Sequence, residues 1–200
     1  MRDIFIDFIR TVTAGNLERV SRQLASHPDF ATLPAEVGAT RGESEDFFFA
    51  DIAHYLYRGD TALHMAAAAF RRQVAELLVA AGANVRARNR RGAEPLHYAA
   101  DANHWKPDAQ AETITYLISA GADPNALDKS GVAPLHRAVR TRSLPAVRAL
   151  LDGGANPRLP NKSGSMPHDL ARMTTGRGGS GSPRAHEQQA GILKLLEEVR

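Results

Sequence analysis

One six-residue phrase, met four times, limits what this chain can fold into more than any other feature. It reads Thr61-Ala62-Leu63-His64-Met65-Ala66, then Glu94-Pro95-Leu96-His97-Tyr98-Ala99, then Ala133-Pro134-Leu135-His136-Arg137-Ala138, and more faintly Met166-Pro167-His168-Asp169-Leu170-Ala171. Leu63, Leu96, Leu135 and His168 share one register, at intervals of 33, 39 and 33 residues, so a single period is stretched once by six residues. A glycine precedes each copy, at Gly59, Gly92, Gly131 and Gly164. A second phrase follows at a constant distance, as Gly82-Ala83-Asn84, Gly121-Ala122-Asp123-Pro124-Asn125 and Gly154-Ala155-Asn156-Pro157. Two phrases locked to one period predict a repeated supersecondary unit, each copy burying its apolar face on its neighbours.

The period and the Leu-His phrase together resemble the ankyrin-repeat family, strongly over residues 59–173 and loosely at the two ends. The resemblance implies an all-α solenoid of about five helix-turn-helix repeats with hairpin finger loops, the first and last degenerate. On this reading, residues 1–200 form one domain. A degenerate repeat at 1–30 is followed by an acidic aromatic insertion at 31–58 and by repeats at 59–91, 92–130 and 131–163. A capping repeat at 164–200 carries a Gly/Ser-rich loop at 174–185. The helical stripe Ile4, Phe5, Phe8, Ile9, Val12 and a second one from Leu17 to Leu24, separated by Gly15-Asn16, fit the first repeat. Ile192, Leu193, Leu195, Leu196 and Val199 rebuild an apolar face for the last. Asn89-Arg90-Arg91-Gly92, Asp128-Lys129-Ser130-Gly131 and Asn161-Lys162-Ser163-Gly164 read as the tight turns of the finger tips.

Two segments depart from the pattern. Residues 31–57 match no repeat; their second half, Phe47 to Tyr57, places Phe48, Ile52, Tyr55 and Leu56 on one face of an expected short helix. These aromatics either pack against the neighbouring repeats or form an adaptable arm that closes over a partner. The six-residue insertion in the third repeat carries Trp105, expected to be partly exposed on a loop.

Chemistry is sparse. The chain has no cysteine, which excludes disulfides and thiolate catalysis and suits a reducing compartment. His64, His97 and His136 recur one repeat apart, so they form a ladder rather than converging on a metal. In the family they resemble structural ties between a turn and its neighbour. No nucleophile elbow or phosphate loop is present. We expect no enzyme activity, no cofactor and no metal. The N-terminus lacks the features of a secretory signal, and no stretch reaches membrane-spanning length. The expectation is a cytoplasmic monomer with no membrane association and no small-molecule substrate.

Charge is more informative. Net charge is only +3, yet residues 58–92 carry seven arginines against two acids and residues 131–163 six basic residues against one. Residues 31–57 carry one arginine against five acids. In the family, finger tips and exposed positions of the first helix line a concave binding face. Carried over position by position, this marks Met65, Arg88, Arg90, Arg91, Tyr98, Leu127, Lys129, Arg137 and Arg140 as candidate partner-binding residues, and Trp105 on the inserted loop joins them. A basic groove with apolar points predicts another protein with an acidic surface as the partner. Nucleic acid or another polyanion is the competing partner class, disfavoured because the aromatics lie off the basic track. A regulatory or inhibitory subunit of an enzyme, with residues 47–57 as a movable arm, is the third.

Overall fold

The computed structural model describes residues 2–40, 42, 44–101, 106–173 and 182–199. They form five helix pairs: α1 (Arg2–Ala14) with α2 (Leu17–Ser26), α3 (Ala62–Ala68) with α4 (Arg72–Ala80), and α5 (Pro95–Ala100) with α6 (Pro107–Ser119). The last two are α7 (Pro134–Arg140) with α8 (Leu144–Asp152), and α9 (Pro167–Arg172) with α10 (Pro183–Glu198). The odd-numbered helices stack on one another in chain order, and so do the even-numbered ones, giving two parallel layers. This is the all-α repeat solenoid that the period predicts.

The inner helices α3, α5, α7 and α9 have only six or seven residues. Such lengths are marginal in water on their own, so stacking must stabilise them. Proline at the first helical position starts α5, α7 and α9 and holds the preceding residue extended. Within α3, Ala66, Ala67 and Ala68 are buried, small enough to let neighbouring inner helices approach closely. Leu63, Leu96 and Leu135 fill the inner layer and Leu78, Leu117 and Leu150 the outer one, in a core that runs unbroken from Phe8 to Leu196.

The insertion differs from expectation. Instead of a helix, residues 45–55 form a 3-10 turn (Glu45–Phe47), strand β1 (Phe48–Phe49), a second 3-10 turn (Ala50–Ile52) and strand β2 (His54–Tyr55). The strands pair antiparallel, Phe48 opposite Tyr55 and Phe49 opposite His54. Phe47, Phe48 and Phe49 alternate at 3%, 39% and 7% exposure, the period of a strand. Ala53 takes the left-handed conformation, φ 47°, that ends the turn and reverses the chain. The hairpin is strapped down at both ends. Leu56 N donates to Phe47 O and Ala39 N to Leu56 O, while Ala35 N donates to Asp60 O and Gly59 N to Ala35 O. The Arg10 guanidinium lies 5.8 Å over the Phe49 ring, and the His54 ring lies 4.7 Å from that of Tyr98 on α5. Of the two readings of these aromatics, the packed one describes this structure. Residues 102–105, with Trp105, and residues 174–181 of the Gly/Ser-rich loop lie outside the described residues.

Candidate functional site

Each finger tip is built by the same side-chain device. Asn89 Oδ1 accepts from the amides of Arg91 and Ala93, Asp128 Oδ1 from Ser130 and Val132, and Asn161 Oδ1 from Ser163 and Ser165. An Asn or Asp at the first position thus closes the turn by imitating a backbone carbonyl. The glycine at the last position is required twice over. Gly59, Gly92 and Gly131 have φ of 88°, 72° and 69°, and a Cβ there would lie 3.0, 3.2 and 2.8 Å from the backbone nitrogens of Arg90, Lys129 and Lys162. Each tip therefore seats its neighbour's basic residue directly against its own glycine. Lys129 N also donates to Arg91 O at 2.9 Å, and Lys162 Nζ donates to Lys129 O. Arg90, Lys129 and Lys162 consequently occupy equivalent places on successive tips, with Tyr57 at the same place on the tip before them.

Behind the tips the histidine ladder ties finger to helix. His64, His97 and His136 accept through Nδ1 from the amides of Thr61, Glu94 and Ala133. With Nδ1 accepting, the proton sits on Nε2, which faces the carbonyls of Ala93, Val132 and Ser165 on the next finger at 3.0, 3.0 and 3.3 Å. Burial lowers the pKa of all three, His97 to about 4 with Arg137 adding to the effect, so each stays neutral. At the fourth rung Asp169 Oδ2 accepts from Met166 N in the same way.

Between the hairpin and α5 lies a buried polar network. Asp60 is wholly buried; its Oδ1 accepts from Tyr98 Oη and Asn89 Nδ2, both at 2.8 Å, and its Oδ2 from Tyr57 N at 2.7 Å. Burial and Asp60 push the Tyr98 phenol well above its ordinary value, so it remains a donor. Arg137 bridges Asp101 at 2.7 Å and Asp128 at 3.0 Å, with 14% of its side chain exposed and Nε without a hydrogen-bond partner among the described residues. Burial raises the Asp128 carboxyl, but the Val132 amide and Arg137 outweigh it and hold that pKa below the usual range. Of these residues, Tyr57, Asn89, Tyr98, Asp101 and Arg137 line a polar cavity of about 230 Å³ together with His54, Tyr55 and Arg91.

Family models for ankyrin repeats match residues 14–128, described as three copies, and residues 117–171, described as many copies. The chain belongs to the ankyrin-repeat family. A search of curated proteins found no match. Ankyrin repeats generally serve as protein-interaction modules, and their proteins are typically non-enzymatic. Among the described residues no group of His, Asp and Glu is arranged to hold a metal ion, and no helix is long and apolar enough to cross a membrane.

Set on this ankyrin scaffold, the ten candidate contact residues separate. Met65 is 0% exposed and Tyr98 3%, so neither can meet a partner: the repeat register puts them on the inner helices, but stacking and the inserted hairpin cover them. Arg137 is committed to Asp101 and Asp128 and largely buried, so it holds the scaffold together. Arg88 is half exposed yet tied to Glu94 at 3.1 Å. Arg90, Arg91, Lys129 and Arg140 are exposed, and Leu127 is 37% exposed. Trp105 lies outside the described residues. Lys162 belongs with the exposed cations although it was not among the candidates; its tip phrase, identical in form to that of Lys129, carried the signal. Tyr57 was also missed. Its ring receives the Arg91 guanidinium at 4.6 Å and that of Arg90 at 6.0 Å, and only the glycine two residues later marks it as a tip residue.

Proposed function

We propose that this ankyrin-repeat chain is a non-enzymatic protein-binding module that meets an acidic partner surface with its finger tips. One observation carries the reading: beside the finger tips the acids are buried and the bases exposed. Asp60 and Glu94 are 0% and 1% exposed and the Asp128 side chain 8%, whereas Arg58, Arg90, Arg91, Lys129 and Lys162 are exposed and make no ion pair among the described residues. Their charges are thus not neutralised by any carboxylate among the described residues. The groove expected from the repeat pattern yields to a ridge, because the hairpin already lies against Tyr98 where a groove would open. Such a ridge speeds encounter with an acidic surface and is weakened by salt, since exposed charges are screened over ~8 Å at physiological ionic strength.

The test is capture of the native partner by the wild type and by the triple variant Arg90→Glu, Lys129→Glu, Lys162→Glu, with Arg148→Glu on α8 as a charge control. The triple variant is expected to lose the partner and Arg148→Glu to keep it. Equal recovery by all three proteins overturns the reading. Capture of nucleic acid instead of protein transfers the ridge to the polyanion class.

A further inference from the structure

The ridge has a spacing as well as a charge, and the spacing constrains the shape of what it meets. The tips cannot slide past one another: Gly59, Gly92 and Gly131 each lie within about a van der Waals contact of the next tip's backbone nitrogen, and Lys129 N is hydrogen-bonded to Arg91 O. Adjacent tips are therefore separated by one repeat, roughly 8–10 Å, the interaxial distance of the packed helices that carry them. In a polyproline II segment, which turns once in three residues and rises about 3.1 Å per residue, residues three apart lie on the same face about 9 Å from one another.

We propose that the partner segment is an extended acidic strand in the polyproline II conformation with a carboxylate at every third residue, lying across the tips so that successive acids, all on one face, meet Arg90, Lys129 and Lys162. The proposal rests on the protein-binding reading above and adds the conformation and period of the ligand. A helical partner meets the same spacing only with acids seven residues apart, since seven residues of helix rise about 10.5 Å. A helix, however, is about 10–12 Å across and needs the trough beside the tips. That trough is narrowed at the second and third repeats by Ala53, His54 and Tyr55, with His54 against Tyr98, to a polar cavity of about 230 Å³. A single extended strand needs only the ridge. The Tyr57 ring, already under the guanidinium of Arg91, closes the row at its N-terminal side and leaves three cations for three acids.

The experiment uses two labelled heptapeptides of one composition, Glu-Ser-Thr-Glu-Ser-Thr-Glu and Ser-Thr-Glu-Glu-Glu-Ser-Thr, titrated into the full chain at low ionic strength with the amides of Arg90, Lys129 and Lys162 followed by NMR. A helix-forming peptide with glutamates seven apart and a short oligothymidylate are run alongside. The spaced peptide is expected to bind about three- to tenfold tighter than the clustered one, as follows from losing two exposed ion pairs. The preference is expected to vanish in the triple charge-reversal variant. Equal affinity of the two heptapeptides, or tighter binding of the helical peptide or the oligonucleotide, overturns the proposal. If native-partner capture still depends on the three cations in that case, the acidic-partner reading survives without the strand. If capture does not depend on them, both fall.

Discussion

At the scale of single residues, Tyr98 shows how one hydroxyl can decide between two roles. Its position in the repeat marks it as a contact residue, yet its phenol donates to the buried Asp60 carboxylate while accepting from Asn89 Nδ2 at 3.0 Å. Replacing it by phenylalanine keeps the ring under His54 but removes one of three donors to a wholly buried carboxylate. Tyr98→Phe is expected to lose about 1–3 kcal/mol in urea unfolding, the usual cost of a buried polar group losing a partner. A variant as stable as the wild type would show that the other two bonds suffice. The residues misplaced by sequence reasoning were misplaced for a common reason. Repeat register tells which helix face a side chain is on, and it gave the structural histidines and the tip cations correctly. It does not tell what a non-repeating segment brings to that face. The hairpin covers Tyr98 from outside the repeats, and Asp101 reaches Arg137 from the preceding one.

At the scale of elements, the helix pairs were legible because a 3.6-residue stripe recurs in each repeat and a glycine or proline marks each boundary. The hairpin was not. Its strands are two residues each, too short for alternation to be told from a helical face, and the apolar set Phe48, Ile52, Tyr55, Leu56 satisfies a helical spacing by accident. What distinguishes the two is tertiary: the chain leaving the hairpin, at Leu56, Gly59 and Asp60, is hydrogen-bonded to Ala35 and Ala39 far back along the chain. Hydrogen exchange reads this directly. The amides of Ala35, Ala39, Leu56 and Gly59, each bonded to a backbone carbonyl, are expected to exchange as slowly as those of the inner helices. Exchange at the rate of an unstructured chain would mean that the strap opens readily and would favour the movable-arm alternative.

At the scale of the whole molecule, the histidine ladder makes acid a solvent for the entire stack. His64, His97 and His136 have folded pKa values below that of the unfolded chain, about 6.5, so between the two values the unfolded state binds more protons. Their contribution is complete above about pH 6.5 and is lost as pH falls toward the folded values. For His97, at about 4, that loss is on the order of 3 kcal/mol. Asp128, lowered, acts in the same direction at more acid pH, whereas Glu94, raised chiefly by burial, acts against it. The urea midpoint is therefore expected to fall steadily from pH 7 to pH 4, and a flat profile would contradict neutral rungs. The fourth rung carries a consequence of a different kind. Each histidine has two working ends, one accepting from its own helix and one donating a hydrogen bond to the carbonyl of the following finger. Asp169 keeps the first end and, being an acceptor only, lacks the second. The ladder is thus written with a terminator: a designer wishing to graft another unit behind this one would meet carboxylate facing carbonyl, and would begin by restoring histidine at 169.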